Sequence, residues 1–150
     1  MKFDSVDEIL NFAIVKEQEA ADFYTNLANK MDRESMKEVF LGFADEEKGH
    51  ESKLIAIRDD KQMLAAEKQI LNLKIGENLV DVELSSDPTY QDALILAMKA
   101  EKNAYRLYND LAHATDDANL RTIFLSLAQE EAKHKLRFEI EYDDYVLTEN

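Results

Sequence analysis

The chain has no cysteine, one proline and three glycines in its 150 residues. Without cysteine there is no disulfide framework, no thiolate metal site and no catalytic thiol, which suits a reducing compartment. So little glycine and proline argues against a turn-rich sheet protein and leaves long helices as the expectation. Positive charge is also scarce: 18 Lys and Arg stand against 32 Asp and Glu, a net charge of −14. Phosphate backbones and anionic membranes would repel such a chain, so neither nucleic acid nor membrane is expected as a partner, while cations are attracted. No apolar run approaches the roughly 18 residues of a membrane span. The first residues are acidic and amphipathic rather than an apolar signal core. These features predict a soluble, cytoplasmic, single-domain protein large enough to bury a sizeable core.

What the chain does have is a repeat. Glu17, Glu47 and His50 recur 84 residues later as Glu101, Glu131 and His134, and two of the three histidines are used in this way. Aligning 10–54 on 94–138 without a gap gives 14 identities, among them Leu10/Leu94, Ala13/Ala97, Tyr24/Tyr108, Leu27/Leu111, Phe40/Phe124 and Ala44/Ala128. Average residue usage would give about three. The identities fall at helical spacing, so internal duplication is the better explanation.

The pattern predicts an all-α fold: a four-helix bundle of two antiparallel hairpins, about 5–57 and 87–145, joined by a long crossover at 58–86. Ser5 with Glu8, and Thr89 with Asp92 after Pro88, carry the spacing of capping boxes. Asp32 and Asp116 are the expected caps of helices 2 and 4 after short polar turns. A crossover of this length exceeds what a bundle turn needs. It begins as an expected extension of helix 2 through Met63, Leu64 and Ile70, and ends in an alternating run at 80–84. It can return within one chain or hand helices 3 and 4 to a second copy, so a homodimer, domain-swapped or not, is an expectation. Phe138, Tyr142 and Tyr145 extend an apolar stripe along helix 4 that a partner could use.

The apolar stripes decide where the ionisable residues point. Helix 1 reads Leu10, Ala13, Ile14, Glu17, Ala20, Tyr24, Leu27, and helix 2 reads Met36, Val39, Phe40, Phe43, Glu47, His50, Leu54. Glu17, Glu47 and His50 therefore interrupt core-facing positions, and Glu101, Glu131 and His134 do the same in helices 3 and 4. Glu17 lies roughly 20 Å below the end of helix 1 and Glu47 roughly 22 Å from the start of helix 2, at ~1.5 Å per residue, which puts both at one level of the hairpin.

Four carboxylates in a core repel one another, and each costs several kcal/mol to desolvate. Two divalent cations would bring four positive charges against them, and two neutral imidazoles would complete the shell. A Glu from each of two helices plus Glu-x-x-His from each of the other two is the pattern of di-iron and di-manganese carboxylate bundles. Residues three apart share a helix face, so Glu47 and Glu131 can bridge both ions while His50 and His134 bind one each. Glu17 and Glu101 would close the two ends. Oxygen-rich ligands with one imidazole per ion suit iron or manganese, with zinc possible. Tyr24 and Tyr108, each seven residues after a ligand Glu, either hydrogen-bond ligand carboxylates or are core aromatics with hydroxyls at the rim. Glu46 and Glu130 lie about 100° off the ligand face and read as exposed charges. His113 is out of register with the repeat and reads as a turn residue.

At Glu17-Gln18-Glu19-Ala20-Ala21-Asp22-Phe23-Tyr24 and Ala44-Asp45-Glu46-Glu47-Lys48-Gly49-His50 the chain resembles the rubrerythrin family of the ferritin-like superfamily. Glu101-Lys102-Asn103-Ala104 and Ala128-Gln129-Glu130-Glu131-Ala132-Lys133-His134 supply the second pair, and the resemblance covers about 10–54 and 90–138. It implies a ferritin-like bundle with two iron ions, reducing hydrogen peroxide or dioxygen in oxidative-stress defence. It also implies electrons from a rubredoxin domain, which a chain without cysteine does not carry, so an external electron-donor protein is expected. Well-known members carry a further Glu three residues after the first on helix 3, where Ala104 stands here. Alternative expectations are a ferroxidase handling iron as substrate, and a non-catalytic interaction bundle stabilised by metal.

Overall fold

In the computed structural model, which describes residues 2–60, 71–72 and 88–149, four long helices form a bundle. They are α1 (Val6–Asn29), α2 (Glu34–Asp59), α3 (Tyr90–Ala114) and α4 (Ala118–Glu149). A two-residue strand β1 (Lys2–Phe3) pairs antiparallel with β2 (Leu71–Asn72), Phe3 opposite Leu71. This small addition to an all-α fold buries Phe3 edge-on to Phe12, with ring centroids 5.2 Å apart. The expected extension of α2 through 63–70 and the run at 80–84 lie outside the described residues.

Helix starts follow side-chain chemistry. Ser5 Oγ accepts the Glu8 N–H at 3.1 Å, but the Glu8 carboxylate reaches past Ser5 to the Asp4 N–H at 2.6 Å. Thr89 and Asp92 form a complete capping box. The expected caps of α2 and α4 are each displaced by one residue. α4 is capped by Asp117, whose Oδ1 accepts the Leu120 N–H at 3.0 Å, and not by Asp116. At the matching position of α2 stands Arg33, with no side-chain cap hydrogen bond, and Asp32 is not the cap.

Two cores occupy the two ends of the bundle. One joins Ile9, Leu10 and Ile14 of α1, Leu54 of α2, Leu107 and Leu111 of α3, and Leu120, Phe124 and Leu127 of α4. The other joins Tyr24 and Leu27 of α1, Phe40 and Phe43 of α2, Tyr90 and Leu94 of α3, and Phe138 of α4. The start of α1, the end of α2, the end of α3 and the start of α4 thus meet at one end. Each hairpin is antiparallel, and α2 finishes at the opposite end from the start of α3. That placement is why a short turn could not join them. Burial of each large apolar side chain here contributes about 1.5–3 kcal/mol, and it is this burial on four faces that fixes the level at which the ionisable residues meet. No helix among the described residues is long and apolar enough to cross a membrane.

Candidate metal centre

Between the two cores, all six repeated residues converge. Glu17, Glu47, Glu101, Glu131 and His134 are 2% exposed or less, while the His50 side chain is 14% exposed. His50 Nδ1 lies 3.5 Å from Glu17, 3.4 Å from Glu47 and 3.0 Å from Glu131. His134 Nδ1 lies 3.3 Å from Glu47 and 3.4 Å from Glu101. The imidazole rings are nearly parallel, 5.7 Å apart. Donor atoms gather in two overlapping four-residue groups, Glu17-Glu47-His50-Glu131 and Glu47-Glu101-Glu131-His134, linked by a third, Glu47-His50-His134, with atoms in each within 4.8 Å of one another. Glu47 and Glu131 belong to both four-residue groups.

The tyrosines resolve into the first of the two roles read from the sequence. Tyr24 donates to Glu101 Oε1, and Tyr108 donates to Glu17 Oε1. Each hydroxyl belongs to one hairpin and its carboxylate to the other, so the pair pins the halves together and orients one oxygen of each terminal carboxylate. Burial, and then the Glu101 charge, raise Tyr24 well above its ordinary pKa, and burial with the Glu17 charge does the same for Tyr108. Both hydroxyls keep their protons and remain donors.

Most of the remaining donor atoms are orphaned. Glu17 Oε2, Glu47 Oε1, Glu101 Oε2, both oxygens of Glu131, His50 Nδ1 and both nitrogens of His134 are buried without a hydrogen bond. Buried polar atoms are almost always satisfied, so the seven of these that turn toward the centre fit bound metal, while His134 Nε2 faces Glu46 on the far side of its ring. In the metal-free chain protons have to substitute. Burial pushes Glu17 and Glu101 up to about 8 and raises Glu131 well above the usual carboxylate range. Burial opposes charge on Glu47 as well, but contacts with His134 and His50 outweigh it and hold Glu47 at about 2. His50 is likewise opposed by burial, yet Glu131, Glu17 and Glu47 carry it to about 12, and His134 is raised chiefly by Glu47 against the same burial. A site that binds protons this strongly is one built to hold positive charge.

A family model described as rubrerythrin matches residues 8–142. The chain belongs to the rubrerythrin family. Solved structures agree on the fold. A hypothetical protein from Pyrococcus furiosus is similar over 93% of this chain and 89% of its own, with 26% identity and a TM-score of 0.66. An uncharacterized conserved protein from Magnetospirillum magnetotacticum MS-1 shows 22% identity and a TM-score of 0.73, covering 93% of this chain and 95% of its own. A Thermotoga maritima chain described as a ferritin-like diiron-carboxylate protein shows 20% identity and a TM-score of 0.71, covering 94% and 96%. No curated protein matches the chain significantly.

Within this rubrerythrin-family bundle, His113 sits in the exposed last turn of α3 with Nδ1 2.7 Å from the Asn109 carbonyl, away from the centre. Glu130 is half-buried and pairs with Lys133 on its own helix at 3.4 Å. Glu46 is equally half-buried, but its carboxylate reaches across to His134 Nε2 at 3.5 Å and is held by Arg137. Sequence reasoning missed that role. The repeat treats Glu46 and Glu130 alike, and only the cross-hairpin neighbour distinguishes them.

Proposed function

We propose that this chain is a di-iron oxidoreductase that reduces hydrogen peroxide, supplied with electrons by a separate donor protein. The observation that carries the reading is the set of seven buried, unbonded donor atoms turned toward the centre, in two four-residue groups sharing Glu47 and Glu131. Glu17, Glu47, His50 and Glu131 would hold one ion, and Glu47, Glu101, Glu131 and His134 the other. When bound, a ferrous pair supplies the two electrons that, with two protons, take one peroxide to two waters.

The chain's own residues supply placement, charge and dryness. The terminal carboxylates are held by Tyr24 and Tyr108, so the donors are positioned before the ions arrive. Phe43 stands edge-on to His134 at 5.0 Å and stacks on Phe138 at 4.0 Å, closing the aromatic end against water. Leu127 and Phe124 close the other end. Because the chain has no cysteine, no cysteine-ligated iron site in it can relay electrons, which is the reason for an external donor.

The test is anaerobic loading with two ferrous ions per chain, followed by stopped-flow mixing with peroxide or with dioxygen. Fast stoichiometric oxidation by peroxide and slow oxidation by dioxygen is the expected result. The strongly acidic composition favours a second reading, in which ferrous iron is the substrate and is drawn in by charge. Faster oxidation by dioxygen, repeated over many irons per site, would replace the first reading with that one. No oxidation by either, with unfolding on chelation, would leave a purely structural metal.

A further inference from the structure

The two ion positions share their bridging carboxylates but differ in what stands behind each histidine. His134 is sealed, 1% exposed, with its Nδ1 turned to the carboxylates and its Nε2 facing Glu46 Oε1 at 3.5 Å. Arg137 fixes that carboxylate through Nη1, 3.1 Å from Oε1 and 2.8 Å from Oε2, while its guanidinium lies over the Phe43 ring at 4.4 Å. Glu46 and Phe43 come from α2, and His134 and Arg137 from α4, so the arrangement spans the hairpins. The repeat does not reproduce it. Glu130, in the place of Glu46, pairs along its own helix with Lys133. Exposed Lys53 stands where the first position has Arg137, and Leu127 where it has Phe43. His50 is the one donor side chain of the six that solvent reaches appreciably, at 14%.

We propose that the two ion positions are inequivalent. The one closed by His134 and Glu101 binds first and exchanges slowly, and the one closed by His50 and Glu17 binds more weakly, exchanges and opens to solvent. Glu46 is a positioning residue that holds the His134 ring with Nδ1 toward the ion, and Arg137 holds Glu46. A carboxylate behind a ligand imidazole fixes its tautomer and orientation and raises its basicity, and removing such a partner costs about 10–100-fold in metal affinity. This inference rests on the reading that the six residues hold two ions.

The experiment is titration of the metal-free full chain with cobalt(II), followed by calorimetry and by the visible absorption of the bound ion. The expected result is two steps separated by at least about tenfold. Glu46→Gln and Arg137→Leu should weaken the first step by about 10–100-fold and alter its absorption band, while Glu130→Gln changes neither step. Arg137→Lys, which keeps the charge, should recover part of the loss. The thermal midpoint of each metal-free variant is measured alongside, since a structural defect would lower it without singling out the first step. A single step of two equal ions, or equal effects of Glu46→Gln and Glu130→Gln, would overturn the inequivalence while leaving the metal reading intact. No cobalt bound at all would remove both.

Discussion

The two hairpins are alike at the ring of donor residues and unlike at their turns. Tyr24 and Tyr108 make the same crossed hydrogen bond, Phe40 and Phe124 are both fully buried, and the donor residues coincide. At the turns the match ends. The first hairpin seats Met31 in the aromatic core and leaves Arg33 at the cap position without a side-chain cap bond. The second has Thr115 and Asp117 at those positions, and Arg121 donates to the Ala112 and Thr115 carbonyls at 3.3 and 2.8 Å, satisfying the end of α3. A turn can be closed by burying an apolar side chain or by hydrogen bonds. A buried ring of carboxylates has one arrangement that works, so after duplication the donor residues and their tyrosines stayed matched while the turns diverged.

The most severe way to break the comparison is to remove what the shared interior is built around. Each ion held at about 1,000 times its dissociation constant adds about 4 kcal/mol to stability, so chelation should lower the unfolding midpoint steeply. The pH dependence should then reverse. Glu17 and Glu101 rise from the ordinary 4.5 to about 8 in the metal-free fold. Their contribution is therefore complete below pH 4.5 and is lost as the pH climbs through 8. His50, raised from 6.5 to about 12, acts in the same direction. Glu47, held at about 2, acts oppositely and only below 4.5. Between pH 5 and 9 the metal-free chain should lose stability on the order of a few kcal/mol, whereas the loaded chain gains, because bound ligands must give up their protons. Denaturant melts of both forms across that range check this, and parallel slopes would count against a metal-filled interior.

A gentler test asks whether the halves are energetically as well as geometrically equivalent. Tyr24→Phe leaves a Glu101 oxygen buried without a donor, and Tyr108→Phe does the same to Glu17. Each should cost about 1–3 kcal/mol in the metal-free chain, and the two costs should agree within about 0.5 kcal/mol. A cost confined to one tyrosine in denaturant melts would show that the mirror relation is only geometric.

Much of this was legible in the sequence because periodicity and duplication act together. A Glu on a core stripe is ambiguous once, but the same Glu at the same helical position 84 residues later, with Glu-x-x-His behind it, is not. Even Leu41 and Leu125, an identical pair off the core, end equally exposed at 41% and 40%. What escaped lies where spacing carries no information. Glu46 and Glu130 have identical local sequence signals, and it is Arg137, 91 residues away, that gives one of them a task. The α4 cap escaped because either of two neighbouring aspartates can serve, and the backbone geometry of the turn selects between them; at α2 the same geometry puts Arg33, which has no acceptor, at the cap position.

That selection yields the smallest effect, and the one most specific to the difference between the hairpins. Asp117 Oδ1 accepts the Leu120 N–H, and its backbone carbonyl accepts the Arg121 N–H at 2.9 Å, so the residue closes the first turn of α4 from both ends. Truncation to alanine leaves that N–H without a partner and should cost about 1 kcal/mol. Arg33→Ala removes no cap bond from α2 and should stay within about 0.5 kcal/mol. Asp116→Ala, the exchange that spacing alone would have chosen, should fall below Asp117→Ala. Chemical denaturation at one pH, with metal removed so that the centre adds no background, resolves these three variants. Should Asp116→Ala prove the costlier of the two aspartate exchanges, α4 would start one residue earlier than described, out of step with α2, whose cap position is Arg33.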